Sequence, residues 1–148
     1  MHNNRTEFLS AFAEEFWAHP GWYDKTKHET WMQYRERLRR NIRGLGFAKT
    51  AFATELIYPF EARVVCVDTH VLQLHGFKPA EVGKATPKDY KAIEAHWDRQ
   101  CGLRGIPPVI ARWITWDKRQ QQSDSRYWTF VFEEENWHER LTRLSIDS

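Results

Sequence analysis

Apolar residues of this chain recur at helical spacing, in stretches that glycine and proline separate. The first stretch runs from Arg5 to Ala18, and Pro20 stops it. It places five apolar residues on one helical face: Phe8, Leu9, Phe12, Phe16 and Trp17. The β-branched run Val64 to Val67 is too short to build a sheet by itself. The pattern therefore predicts an all-α fold.

The same spacing predicts several more helices. Thr86 can cap one of them with Pro87 at its first position. The expected stretches are about Lys27 to Ile42, Phe47 to Ile57, Thr69 to His75, Pro87 to about Gln100, one from Pro107 or Pro108, and Glu134 to Leu144, with Tyr127 to Phe132 as a strand or extended tail. A length of 148 residues predicts one domain, so residues 1–148 are expected to form a single helical domain.

The net charge is only +2, so affinity for nucleic acid requires local clusters of charge. One cluster precedes Gly44, and it either faces a DNA backbone or forms a solvated helix face: Arg35, Arg37, Arg39, Arg40 and Arg43. The chain also contains eight tryptophans. Trp97, Trp113 and Trp116 have the spacing of core residues, which predicts that they pack in the interior.

The two cysteines, Cys66 and Cys101, lack the spacing of zinc or iron–sulfur ligands. They are expected to be buried free thiols in a reducing compartment. The histidines show no HxH or HExxH spacing, so no metal site is expected. The N-terminus has no signal-peptide pattern, and no apolar run reaches the ~20 residues of a membrane helix. We therefore expect a cytoplasmic protein without membrane partners.

Two glycines, Gly44 and Gly46, lie between helical stretches and predict a helix-hairpin-helix element over about residues 32–57. Outward-pointing amides at the start of the second helix can bind a phosphate oxygen without reading the base. Arg43, Lys49 and Thr50 are placed to add side-chain contacts. A plain connection between two helices is the alternative.

The string Val67-Asp68-Thr69-His70-Val71 follows about twenty residues later and places a carboxylate before a short helix. Cleavage of a base from deoxyribose develops positive charge on the sugar, which a nearby carboxylate stabilises. The same carboxylate can orient or deprotonate the attacking water. Asp68 is thus a catalytic candidate, and a simple helix cap is the alternative.

The combination of GLG, a downstream lysine and VDTHV resembles the helix-hairpin-helix DNA glycosylase superfamily, which includes endonuclease III and the adenine and alkylbase glycosylases. The similarity covers roughly Met32 to Gly76. It implies a compact glycosylase-like helical fold that acts on double-stranded DNA with an extruded base, with Asp68 essential for breaking the N-glycosidic bond and His70 as a supporting residue. The implied DNA contacts are Arg43, Gly44, Leu45, Gly46, Lys49 and Thr50. The resemblance is also compatible with a monovalent cation at the hairpin.

The sequence departs from the family pattern in three ways. Ala48 occupies the position of the imine-forming lysine, and Lys49 lies one residue or about 100° further around a helix, so monofunctional hydrolysis is expected. No cysteine-rich segment follows, so no iron–sulfur cluster is expected. Only 43 residues precede Gly44, so part of the base pocket is missing, replaced by C-terminal helices, or supplied by another subunit of a homo-oligomer.

GLGFAKTAF followed by CVDTH also resembles a compact bacteriophage branch, the α-glutamyl/putrescinyl thymine pyrophosphorylases. That resemblance implies a viral source, action in the infected host cell, and a modified thymine as substrate. Three functions thus remain open: a DNA glycosylase for a damaged or modified base, a phage base-hypermodification enzyme, and a non-catalytic DNA-binding module.

Overall fold

The fold is built from α-helices joined by short turns. The computed structural model describes residues 3–120, and this range holds no β-strand. Its helices are α1 (Asn3–Ala18), α2 (Trp31–Asn41), α3 (Phe47–Ile57), α4 (Thr69–Leu74), α5 (Pro87–Arg104) and α6 (Pro108–Arg119), with 3-10 turns at Pro20–Tyr23 and Val82–Lys84. The all-α prediction is confirmed. The segments Tyr127 to Phe132 and Glu134 to Leu144 lie outside the described residues.

Helix α2 begins four residues later than the expected start near Lys27. Thr30 accepts a hydrogen bond from the Gln33 backbone N–H at 3.2 Å, and the Gln33 side chain accepts one from the Thr30 N–H at 2.8 Å. This reciprocal capping box satisfies two N–H groups that a helix start leaves without partners. The expected start was wrong because apolar spacing does not register such a cap.

Helix α5 extends four residues beyond the expected end at Gln100. Its first turn has the predicted cap, since the Thr86 side chain accepts from the Asp89 N–H. At the other end Gly105 adopts the left-handed conformation with φ of 63°, and the N–H of Ile106 bonds to the carbonyl of Cys101 at 3.1 Å. Such a glycine closes the final turn, which places the end of α5 at Arg104.

The main core lies among α4, α5, α6 and the extended segment 64–67. Its buried members are Val65, Val67, Val71, Leu72, Ile93, Trp97, Cys101, Ile106, Val109, Ile110, Ala111 and Ile114. Trp97 is buried and Trp113 packs partly buried against this core, as predicted. The expectation for Trp116 was wrong, because its side chain is 37% exposed and packs against His70 and not in the core. Both cysteines are buried and free, and burial raises the pKa of each thiol to about 12.

Helix α1 packs through a narrower face than its sequence suggests. Phe8, Phe12 and Phe16 form a row at four-residue spacing and are half-buried. Leu9 and Trp17 remain 68% and 79% exposed because each lies about 100° around the helix from its neighbour in that row. The expected five-residue apolar face is therefore only partly covered by the described residues.

Within residues 3–120, none of the helices combines the length and the apolar character that a membrane crossing requires.

Candidate active site

Asp68 occupies the N-cap of α4. Its Oδ1 accepts hydrogen bonds from the backbone N–H groups of His70 at 2.9 Å and Val71 at 3.0 Å. The cap is therefore present, and the side chain is 29% exposed, while the catalytic role of Asp68 stays a prediction. The two amides fix the orientation of the carboxyl group and leave Oδ2 free for another interaction.

The free oxygen of Asp68 faces a buried arginine of α6. Nη1 of Arg112 lies 4.0 Å from Asp68 Oδ2, and the Arg112 side chain is only 7% exposed. The other face of the guanidinium binds Glu55 of α3 through Nε at 3.0 and 3.1 Å and Nη2 at 2.5 Å. Burial disfavours the charged guanidinium, but the Glu55 carboxylate outweighs burial and raises the pKa of Arg112. A permanent positive charge thus stands beside Asp68.

The segment 64–67 leads directly into Asp68 and pairs with no strand of the described residues. The N–H groups of Val67 and Asp68 bond within the segment, to the carbonyls of Val65 and Cys66, each at 2.9 Å. Glu55 Oε1 accepts the N–H of Cys66 at 2.7 Å, and Glu94 Oε1 accepts the N–H of Val65 at 3.0 Å. Glu94 in turn forms a buried ion pair with Arg35 of α2. Buried backbone N–H groups require acceptors, and here two buried carboxylates supply them in place of a sheet. The segment is thus held by hydrogen bonds to Glu55 of α3 and Glu94 of α5, each of which is ion-paired.

The surface around Asp68 is shallow. A depression of about 10 Å³ lies beside the carboxylate, which leaves room for roughly one water. It is lined by Asp68, His70, Val71, Leu74, Arg112, Thr115, Trp116 and Arg119. The depression that the described residues form beside the half-buried Asp68 is therefore much smaller than a nucleobase.

His70 forms one wall of this depression. Its ring centroid lies 4.2 Å from that of Trp116 in an edge-to-face arrangement. Its backbone carbonyl accepts a hydrogen bond from Arg119 at 3.1 Å, while its N–H holds Asp68. These contacts join the start of α4 to the end of α6, and the supporting role of His70 at the site stays a prediction.

The predicted hairpin joins α2 and α3. Gly44 has φ of 87°, a conformation that favours glycine, and a Cβ added there would lie 2.7 Å from Cδ2 of Phe8. Gly46 is the extended N-cap of α3 and supplies no side-chain acceptor, so the N–H groups of Phe47, Ala48 and Lys49 have no bonded acceptor in the described chain. This is the arrangement that a phosphate oxygen can use.

The side chains of the hairpin divide into two groups. Arg43 and Lys49 are exposed and form no ion pair with the described residues, and Leu45 is half-buried. Thr50 is fully buried, and its hydroxyl donates to the carbonyl of Gly46 at 2.9 Å. The expected phosphate contact of Thr50 does not fit this placement, because its hydroxyl already closes the first turn of α3.

Most of the arginine cluster before the hairpin is neutralised within the fold. Arg35 is buried with Glu94, Arg37 pairs with Glu29 at 2.6 Å, and Arg39 pairs with Glu36 at 3.0 Å. Only the exposed Arg40 and Arg43 of this cluster make no ion pair with the described residues. The candidate positive surface therefore contracts to Arg40, Arg43 and Lys49.

Sequence reasoning missed Glu55 and Arg112. Glu55 follows the buried Ala51 by four residues, and Arg112 stands among the apolar residues of α6. A charged residue at a core-facing helical position requires a partner, and this signal was present in the sequence. The sequence did not show which residue is the partner, because Glu55 and Arg112 are 57 residues apart.

Comparisons with known proteins returned no match, whether to protein-family models, to curated proteins or to solved structures.

Proposed function

We propose that this chain is a glycosylase-like enzyme of the helix-hairpin-helix type that hydrolyses the N-glycosidic bond of a damaged or modified base in DNA. The observation that carries the proposal is the geometry of Asp68. Two backbone amides fix one of its oxygens, and the other is accessible beside the positive charge of Arg112. A carboxylate held in this way needs little reorganisation before it acts on a reacting sugar.

In the proposed mechanism Oδ2 of Asp68 is the reacting group. As the bond to the base breaks, the carboxylate stabilises the positive charge that develops on the deoxyribose, and it orients or deprotonates the water that attacks. Arg112 lies on the protein side of this carboxylate, and its ion pair with Glu55 holds the guanidinium in place. The base leaves with the electrons of the broken bond.

The hairpin would hold the DNA backbone during this reaction. Three N–H groups at the start of α3 have no acceptor within residues 3–120. These groups and the charges of Arg43 and Lys49 are suited to phosphate oxygens. We assign Lys49 to a phosphate contact and not to imine formation. The proposed enzyme is therefore monofunctional, without Schiff-base lyase activity.

The decisive experiment measures base release from duplex oligonucleotides that carry a panel of modified pyrimidines and purines. Wild-type protein is expected to release one class of base, and Asp68→Asn is expected to lower the rate by about 100-fold or more. Asp24→Asn is the matched control, since it removes an exposed carboxylate elsewhere on the surface. Equal rates for Asp68→Asn and wild type would contradict the proposal.

Mass spectrometry of the small product separates hydrolysis, which releases a free base, from transfer to another group, as expected of a base-hypermodification enzyme. Borohydride treatment is expected to trap no covalent adduct between protein and DNA. Efficient trapping that Lys49→Gln abolishes would instead show imine chemistry.

One observation favours a second candidate, a non-catalytic DNA-binding module. The depression beside Asp68 in residues 3–120 is far smaller than a nucleobase. This candidate predicts salt-sensitive binding of duplex DNA that Asp68→Asn leaves unchanged, and no turnover on any substrate in the panel.

A further inference from the structure

A groove of about 450 Å³ separates α1 from the α2–α3 hairpin, away from Asp68 and Arg112, and its lining includes Arg43 and Lys49, the proposed phosphate contacts. Helix α1 closes on its neighbours at two places. Phe8 contacts Gly44 at one end, and Phe12 and Phe16 contact Tyr23 at the other, with ring centroids 5.4 and 5.3 Å apart. Between these contacts the helices stand apart, and the groove has a volume typical of small-molecule sites.

The walls of the groove are almost entirely apolar. Phe12, Phe16, Leu38, Ile42 and Ile57 all face it. It runs along α3 from Lys49 to Ile57, a length of about 12 Å at the rise of an α-helix. An extended hydrocarbon chain matches both the length and the lining, because it buries apolar surface and asks for no hydrogen bond.

The charged residues of the groove are all positive and lie toward the hairpin. They are Arg5, Arg43 and Lys49, and no aspartate or glutamate of residues 3–120 lines the groove. None of the three forms an ion pair with the described residues, whereas Arg37 and Arg39 on the adjacent helix are both paired. An apolar channel with uncompensated positive charge at one end is complementary to a molecule with a hydrocarbon tail and an anionic head.

We propose that this groove binds a free, unbranched fatty carboxylate, with its tail between α1 and α3 and its carboxylate between Arg43 and Lys49. The head group gains charge-assisted hydrogen bonds from the Lys49 ammonium and from the Arg43 guanidinium, which lies 4.8 Å from the centroid of the Phe8 ring. The tail covers the apolar walls that α1 leaves open.

The test compares two soluble amphiphiles with the same tail and opposite heads, decanoate and decyltrimethylammonium, by calorimetry below their micellar concentrations. Decanoate is expected to bind at least about 10-fold more tightly, the factor that one charged hydrogen bond supplies. The double variant Arg43→Gln/Lys49→Gln is expected to erase this preference. Lys91→Gln, an exposed lysine outside the groove, is the matched control and is expected to retain it.

A filling variant tests the place of the tail. Ala53 lines the groove and is half-buried, so Ala53→Trp is expected to abolish binding of decanoate while circular dichroism remains helical. If this variant does not fold, amide shift changes in the wild type decide, and they are expected to centre on Phe12, Leu38 and Ile57.

Three results would overturn the proposal. The first is equal affinity for the two amphiphiles, and the second is a preference for decanoate that survives in the double variant. The third is self-association of the protein through this face, seen as a dimer in sedimentation that Ala53→Trp converts to monomer, since the groove would then be a protein interface.

Discussion

A single histidine illustrates how the fold sets the properties of one side chain. Nε2 of His75 accepts a hydrogen bond from Nε1 of Trp97 at 2.8 Å, which requires that this nitrogen carry no proton. The residue is exposed at the surface, but partial desolvation of its ring lowers the pKa of His75, and the neighbouring His96 lowers it further. The neutral imidazole is thus the form that the folded protein prefers.

This preference predicts a pH dependence of stability. Because the pKa is lower in the folded state than the ordinary value of 6.5, the contribution of His75 is complete above that value and is lost as pH falls through the folded pKa. We expect the free energy of unfolding in urea to fall more between pH 7.5 and acidic pH for wild type than for His75→Gln. A loss of the same size in the variant would contradict the assignment.

The two hairpin glycines play different roles in joining α2 to α3. Gly44 has a positive φ and touches Phe8, whereas Gly46 is extended and has open space around it. Only Gly44 disfavours a Cβ, because its φ is positive and because the Phe8 ring lies where the Cβ would be.

Alanine at each glycine tests this difference directly. Gly44→Ala is expected to destabilise the protein by about 1 kcal/mol or more, because alanine is strained at positive φ and its methyl group displaces Phe8. Gly46→Ala is the matched control and is expected to change the free energy of unfolding by less than about 1 kcal/mol. Equal effects in chemical denaturation would show that Gly44 has no special requirement.

The extended segment before α4 depends on buried carboxylates from two helices. Glu55 and Glu94 each accept one of its N–H groups and each pair with a buried arginine. Removing one member of such a pair leaves an uncompensated buried charge, which costs more than replacing both members by apolar groups.

We therefore expect Arg112→Met to lower the free energy of unfolding by about 3–5 kcal/mol. The double variant Arg112→Met/Glu55→Gln is expected to recover a large part of that loss. It removes the unpaired charge, while the amide oxygen of the introduced glutamine can still accept the Cys66 N–H. A double-mutant cycle measures this coupling by thermal denaturation of wild type, Arg112→Met, Glu55→Gln and the double variant. Losses of unfolding free energy that simply add would contradict the coupling.

Taken as a whole, the protein is nearly neutral, yet its surface charge is not evenly distributed. Three arginines of the cluster before the hairpin are paired internally, so Arg40, Arg43 and Lys49 carry the positive charge near the hairpin that no acidic residue of the described part neutralises. Affinity for DNA under the proposed function therefore depends on few phosphate contacts.

This distribution predicts a shallow salt dependence. Each neutralised phosphate contributes about −0.9 to the slope of log K against log salt for duplex DNA, so Arg43→Gln/Lys49→Gln is expected to reduce that slope by about 2. Fluorescence anisotropy across a salt series measures it, with Lys88→Gln, an exposed lysine at the start of α5, as the control. An unchanged slope would exclude these residues from the DNA contact.

Local features of the chain were predictable because neighbouring residues produce them. Thr86 and Pro87 start α5, Gly44 turns the hairpin, and Phe47 to Ile57 is helical as expected. The cap at Asp68 is equally local, since the residue bonds to amides two and three positions ahead. Errors at this level, such as the late start of α2, came from caps that apolar periodicity does not reveal.

What the tertiary structure decided is how the charges and apolar faces are used. Arg112 meets Glu55 across 57 residues and Arg35 meets Glu94 across 59, so periodicity cannot show that these charges are buried in pairs. The same packing pairs most of the arginine cluster internally, leaves Trp116 at the surface and opens the groove beside α1. Helical spacing gives each helix an apolar side, but the position of one helix against another depends on the shape and charge of both.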